Sequence, residues 1–182
     1  LGMQLLTFVG TTDVKLIEES KGPAISAVLE LKPKSVVLIA TTGTGAKYDL
    51  LGGAAQFANL IHRVSPGTKT SIVTMDLLDP TDHNEIYPKL RDIVHNHGAT
   101  RMPMVAAISS GTPSMQVCWI LLAESGDAKI KLYRTVEREL TDKPLREVRL
   151  DSALPRIIAL EQENRQLRQI AILPLSLHVD EG

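Results

Sequence analysis

Five short apolar runs punctuate the chain, separated by stretches with helical spacing. Met3 to Val9, Ser35 to Ala40, Ser71 to Met75, Met104 to Ile108 and Lys129 to Tyr133 have strand length and composition. Val36-Val37-Leu38-Ile39 and the run from Met104 to Ile108 lack polar alternation, which predicts strands covered on both faces. Gly22-Pro23 opens a helix carrying Ile25, Val28 and Leu29, and Pro33 closes it. Leu50 to His62, with Phe57, Leu60 and Ile61, predicts a second helix ending before Ser65-Pro66-Gly67. A third shows its inward face at Ile86, Leu90, Ile93 and Val94 and ends at Gly98. Met115 to Ala123 is apolar almost all round and predicts a buried helix.

Strand and helix alternating in this way predict an α/β fold, a Rossmann-like and mostly parallel sheet with helices on both faces. Beyond it, Leu145 to Leu150 alternates like an edge strand, Pro155 to Leu167 has helical spacing, and Ile170 to Val179 is an apolar run suited to the sheet or a second subunit. In such sheets ligands bind past the carboxyl ends of the strands, where the strand order reverses. Three loops expected on that edge are rich in hydroxyls: Gly10 to Asp13, Thr41 to Gly45, and Ser109 to Thr112. The last is the most informative. In Ile108-Ser109-Ser110-Gly111-Thr112-Pro113-Ser114-Met115, Gly111 permits a tight turn, Thr112 suits an N-cap and Pro113 the first helical position. A helix beginning there turns its free N–H groups and positive dipole end toward a bound anion.

Composition narrows the partners. The 182 residues are 43% hydrophobic and 23% charged, with a net charge of −1 and no long basic run, which argues against tracking a long nucleic acid. The length predicts one domain over residues 3–179, with a core at 3–135 and an extension at 136–179. Cys118 is the only cysteine, so no internal disulfide forms and a cytoplasmic setting is expected. No apolar run reaches 18 residues, so no membrane contact is expected of this segment. Leu1-Gly2 ahead of Met3 reads as the edge of a trimmed piece, leaving room for an effector domain, even a membrane-bound one, outside it.

Several familiar chemistries fail on spacing. Gly43-Thr44-Gly45 places Tyr48 where a dinucleotide fingerprint needs glycine, and the same Tyr48 follows Lys47 where a P-loop needs Ser or Thr. Ala107 stands where a nucleophile elbow at Ser109 needs glycine. His95 and His97, beside Asp92, point to different helix faces and suit a helix C-terminus better than a metal. No cofactor and no metal are expected.

Ile108-Ser109-Ser110-Gly111-Thr112-Pro113-Ser114-Met115-Gln116, preceded by Leu78-Asp79-Pro80-Thr81-Asp82 and a helix containing Tyr87, resembles the CRISPR-associated Rossmann-fold (CARF) domain. The helix opened by Gly22-Pro23-Ala24-Ile25 is similar to that family too, including its version in RNA-repair transcription activators. The resemblance spans about Met3 to Tyr133 and implies a Rossmann-like sheet closed by a C-terminal antiparallel hairpin. It implies a homodimeric regulatory sensor of cyclic tetra- or hexa-adenylate that activates an attached effector in type III CRISPR antiviral defence. Family ligand loops map onto Gly10, Thr11 and Thr12, and onto Ser109, Ser110, Gly111, Thr112 and Met115. Thr41, Thr42, Gly43 and Thr44 join them as expected ligand contacts, with Met75 and Leu77 as apolar candidates for an adenine slot. Some relatives cleave their ligand, and Thr11, Ser109 and Ser110 are the candidates for a metal-independent ring nuclease here. The similarity to RNA-repair activators gives the other alternative, a sensor of RNA ends bearing a 2′,3′-cyclic phosphate.

Overall fold

The computed structural model describes residues 2–43, 45, 49–98, 102–136 and 143–149. The chain divides into a compact unit of Leu1–Val148 and a second unit of Arg149–Gly182. The predicted helix at Pro155 to Leu167 and the apolar run at Ile170 to Val179 lie outside the described residues.

In the first unit the elements run β1 (Gln4–Phe8), α1 (Thr11–Lys15), α2 (Pro23–Leu31), β2 (Ser35–Thr42), α3 (Leu51–Val64) and β3 (Lys69–Asp76). They continue with α4 (His83–His97), β4 (Met104–Ala107), α5 (Pro113–Glu124), β5 (Ile130–Thr135) and β6 (Leu145–Val148). Six strands form one sheet in the order β3-β2-β1-β4-β5-β6. Every pairing is parallel except β5 with β6, so the Rossmann-like sheet and its C-terminal antiparallel hairpin are both present.

Alternate strand residues supply two cores. Leu5, Val36, Leu38, Val105 and Ala107 pack with Ile25 and Val28 of α2 and with Phe57, Leu60 and Ile61 of α3. On the opposite face Phe8 meets Trp119 of α5 edge to face, with ring centroids 6.0 Å apart. Pro33 ends α2 as expected, just past Lys32 in the left-handed conformation.

Two expectations are corrected. Residues 11–15 form a short helix in place of the loop expected after β1, with Asp13 at its third position bonding back to its start. α5 is buried on one side only: Met115, Cys118, Trp119 and Leu122 face the core, while Val117 and Leu121 are 48% and 43% exposed. Residues spaced three and four apart share one face, so a helix lying on one sheet buries a single stripe however apolar its sequence.

The strand order reverses at β1. This strand lies between β2 and β4, so the chain winds away from it in one direction through β2 and β3, then returns to add β4 and β5 on the other side. The loops leaving β1 and β4 therefore diverge onto opposite faces and leave a crevice between them. Buried Thr7 pins the two strands beneath it, its Oγ1 donating to the Ala107 carbonyl at 3.1 Å.

Candidate functional site

A cavity of about 130 Å³ opens in that crevice. Val9 to Asp13 form one wall and Ser109 to Thr112 with Met115 the other, while Pro23, Thr41, Leu50 and Pro80 close the sides. The two walls touch at glycines. A Cβ on Gly10 would lie 3.1 Å from the Gly111 nitrogen, and one on Gly111, at φ +96°, would meet Met115 Sδ at 2.7 Å. A side chain at Gly10 would press the loops apart, and one at Gly111 would press on Met115 and Phe8.

Asp13 fastens the floor. Its carboxylate is fully buried, with Oδ2 accepting the Gly10 N–H and Oδ1 the Ala24 N–H, each at 2.9 Å. Burial raises its pKa above the ordinary carboxylate value, opposed by the nearby Ser110 hydroxyl and by those two N–H groups. Ser110 is itself 4% exposed, and its Oγ makes no well-formed hydrogen bond, although it lies near enough to Asp13 to favour the charged form. A buried hydroxyl left without a full partner has a donor to offer a ligand.

The other hydroxyls are placed differently. Thr112 caps α5, its Oγ1 accepting the Met115 N–H at 3.3 Å and donating to the Pro80 carbonyl at 2.7 Å. That commits it to structure, and ties the loop after β3 to the cavity rim. Ser109 Oγ accepts the Thr135 N–H at 2.7 Å and keeps its own proton to donate. Thr11 is half-buried and Thr12 exposed at the mouth.

Of the residues expected to contact ligand, Gly10, Thr11, Thr12, Thr41, Ser109, Ser110, Gly111, Thr112 and Met115 line the cavity together. Met75 and Leu77 do not, since both are buried in the core. Thr42 lies outside the lining too, in β2, bonded to Asp76 at 3.3 Å. Gly43 is exposed at φ +89°, and Thr44 lies outside the described residues. Sequence reasoning missed Val9, Asp13, Pro23, Leu50 and Pro80. The Gly10-x-x-Asp13 spacing, an acidic side chain three positions after a helix start, was the available signal for Asp13.

Chemically, the described lining offers hydroxyls, a glycine-rich backbone and the start of a 12-residue helix, with Asp13 its one titratable side chain. Cys118 is buried and its thiol pushed up to about 11, so it offers no nucleophile. His95 and His97 are engaged at the far end of α4, on the carbonyls of Asp127 and Ile93.

The family model described as "RtcR: Regulator of RNA terminal phosphate cyclase" matches residues 46–171. No curated protein sequence matches the chain. Among solved structures, Csm6 of Enterococcus italicus, bound to cyclic hexa-2′-fluoro-hexa-dAMP, is similar over 90% of this chain and 45% of its own, at 14% identity and a TM-score of 0.71. Can2 of Sulfobacillus thermosulfidooxidans, in complex with cyclic tetra-adenylate, is similar over 73% of this chain and 32% of its own, at 10% identity and a TM-score of 0.49. The chain thus spans less than half the length of either structure.

Proposed function

The chain belongs to the RtcR family, the regulators of RNA terminal phosphate cyclase, and from that premise we propose that it is the ligand-sensing domain of an RNA-repair regulator. The domain of this family is CARF-like, in keeping with the Ser109 to Thr112 turn and the Rossmann-like sheet. Its ligand is an RNA end carrying a 2′,3′-cyclic phosphate, held between the loops that leave β1 and β4.

The observation that carries this reading is the cavity itself. At about 130 Å³ it falls below the roughly 300–1,000 Å³ of a pocket enclosing a drug-sized ligand. This volume suits a terminal phosphate and part of its ribose, and a cavity of about 760 Å³ that shares Thr12, Pro23 and Ser109 adjoins it for the rest of the strand. Donors without formal charge, the Ser110 hydroxyl and the start of α5, suit a phosphate held by hydrogen bonds and helix dipole. The net charge of −1 argues against a long tract of nucleic acid, whereas an end presents one phosphate to this cavity.

The second reading is a cyclic-oligoadenylate sensor. It is supported by the fold shared with Csm6, whose structure holds cyclic hexa-2′-fluoro-hexa-dAMP, while the exposed pair Val117 and Leu121, one turn apart on α5, offers a second copy a surface in either reading. A two-fold dimer presents equal loops to the two halves of a cyclic tetramer or hexamer of AMP. In either reading the domain works as a cytoplasmic homodimer within 3–179 and passes its state to an effector outside this chain.

Calorimetry on the purified chain separates the two. The RNA-end reading expects binding of a short RNA bearing a 2′,3′-cyclic phosphate and none of cyclic tetra- or hexa-adenylate; the reverse pattern overturns it. Chromatography of the recovered ligand tests ring cleavage through Thr11, Ser109 or Ser110, which would appear as linear fragments.

A further inference from the structure

The described lining contains no lysine, arginine or histidine, and it does contain a buried carboxylate. That is an unusual wall for an anion site, because cations commonly hold phosphates. We propose that Asp13 is a specificity-determining residue, making the cavity accept singly charged phosphodiesters, a 2′,3′-cyclic phosphate among them, and reject doubly charged phosphomonoesters. The proposal rests on the reading of the cavity as an RNA-end site.

The geometry leaves Asp13 no way to withdraw. Its two oxygens are engaged by backbone donors from two segments, the Gly10 and Ala24 N–H groups at 2.9 Å. Glycines press on both sides: a Cβ on Gly22, at φ +126°, would lie 2.9 Å from Oδ1, and one on Gly10 would lie 3.2 Å from Oδ2. A rotation that relieved repulsion from a ligand would break these bonds in a fully buried place. Water cannot screen the charge there, so a second negative charge in the cavity meets it at low effective dielectric.

Ser110 supplies the attractive half. Its buried, poorly partnered hydroxyl donates one neutral hydrogen bond beside the carboxylate, enough for a diester and no compensation for a dianion. Among the described residues that bond or press on Asp13, none carries a positive charge. Gly10, Gly22, Ala24 and Ser110 do not titrate. α1 also packs on α3 through Val14 and Gly53, where the nearest ionisable residue in sequence is the exposed Asp49. Further along the chain from Asp13, Lys15 and Lys21 sit at exposed positions, and Lys21 pairs with Glu19.

The test is a binding comparison on the full chain with one short RNA prepared with three ends: 2′,3′-cyclic phosphate, 3′-phosphate and 3′-hydroxyl. At pH 8 the monoester carries its second charge, its second pKa being about 6. Fluorescence anisotropy is expected to show the cyclic end binding about tenfold or more tighter than the 3′-phosphate. Lowering the pH to 5.5 narrows the gap, as the monoester gains a proton and loses its second charge. In Asp13→Asn the 3′-phosphate gains relative to the cyclic end at pH 8. Equal or inverted affinities at pH 8 in the wild type overturn the selectivity and leave the RNA-end reading standing. An unchanged gap in a folded Asp13→Asn variant overturns the part given to Asp13. Should that variant fail to fold, a wild-type gap that persists unchanged at pH 5.5 overturns it equally. No binding of any of the three ends overturns the RNA-end reading and this inference with it.

Discussion

Gly111 holds the fourth-strand loop at φ +96°, in the left-handed region that costs a residue with a Cβ about 1–3 kcal/mol. Gly111→Ala adds an atom 2.7 Å from Met115 Sδ and 3.3 Å from Phe8 Cβ. Its urea unfolding midpoint is therefore expected to fall by an amount corresponding to about 1–3 kcal/mol; an unchanged midpoint would show that the loop does not require this conformation. At this scale the sequence was a partial guide. The Ser-Gly-Thr-Pro turn was legible because glycine, an N-cap and an N1 proline each have a local signature. Asp13 was not, since an acidic residue near a helix start usually stands in solvent. Only the tertiary approach of Gly22 and the fourth-strand loop buries it. Met75 and Leu77 lie outside the cavity lining for a related reason: apolar residues at a strand end are claimed by the core before a cavity can use them.

The behaviour of α5 is set by its two faces. Cys118 sits on the buried one, its Sγ 3.8 Å from the His83 carbonyl, and burial lifts its thiol from an ordinary 9.0 to about 11. A buried acid of raised pKa favours the folded state fully below pH 9 and loses that contribution as pH rises toward 11. At pH 8 the native protein should therefore resist a thiol reagent that labels the urea-unfolded chain at once. Labelling of native protein at the unfolded rate would contradict the packing of α5. Its opposite face carries Val117 and Leu121. The order of the elements was readable from apolar periodicity, but which face of an all-apolar helix meets the sheet depends on its position over the strands. α1, five residues long, is too short to show any period.

For the whole molecule, alternation of strand and helix predicted a parallel sheet, and a ligand edge followed from the rule that such sheets bind past their strand ends. Which loops share the cavity required the strand order, with β1 and β4 adjacent. Thr42, at the end of β2, and Gly43, just after it, fall outside its lining. The same scale governs association. Light scattering is expected to find a dimer of the wild type and a monomer of the double variant Val117→Asp, Leu121→Asp; a monomeric wild type would remove the dimer from either functional reading. A cavity whose described lining holds no cation also responds differently to salt. Proteins that grip phosphates with lysine and arginine release condensed counterions, and so bind more weakly as salt rises. Here a terminal nucleotide would be held by neutral donors, with few ions to release. On the proposed reading, binding would follow the amount of the ligand across wide changes in the ionic strength of its surroundings.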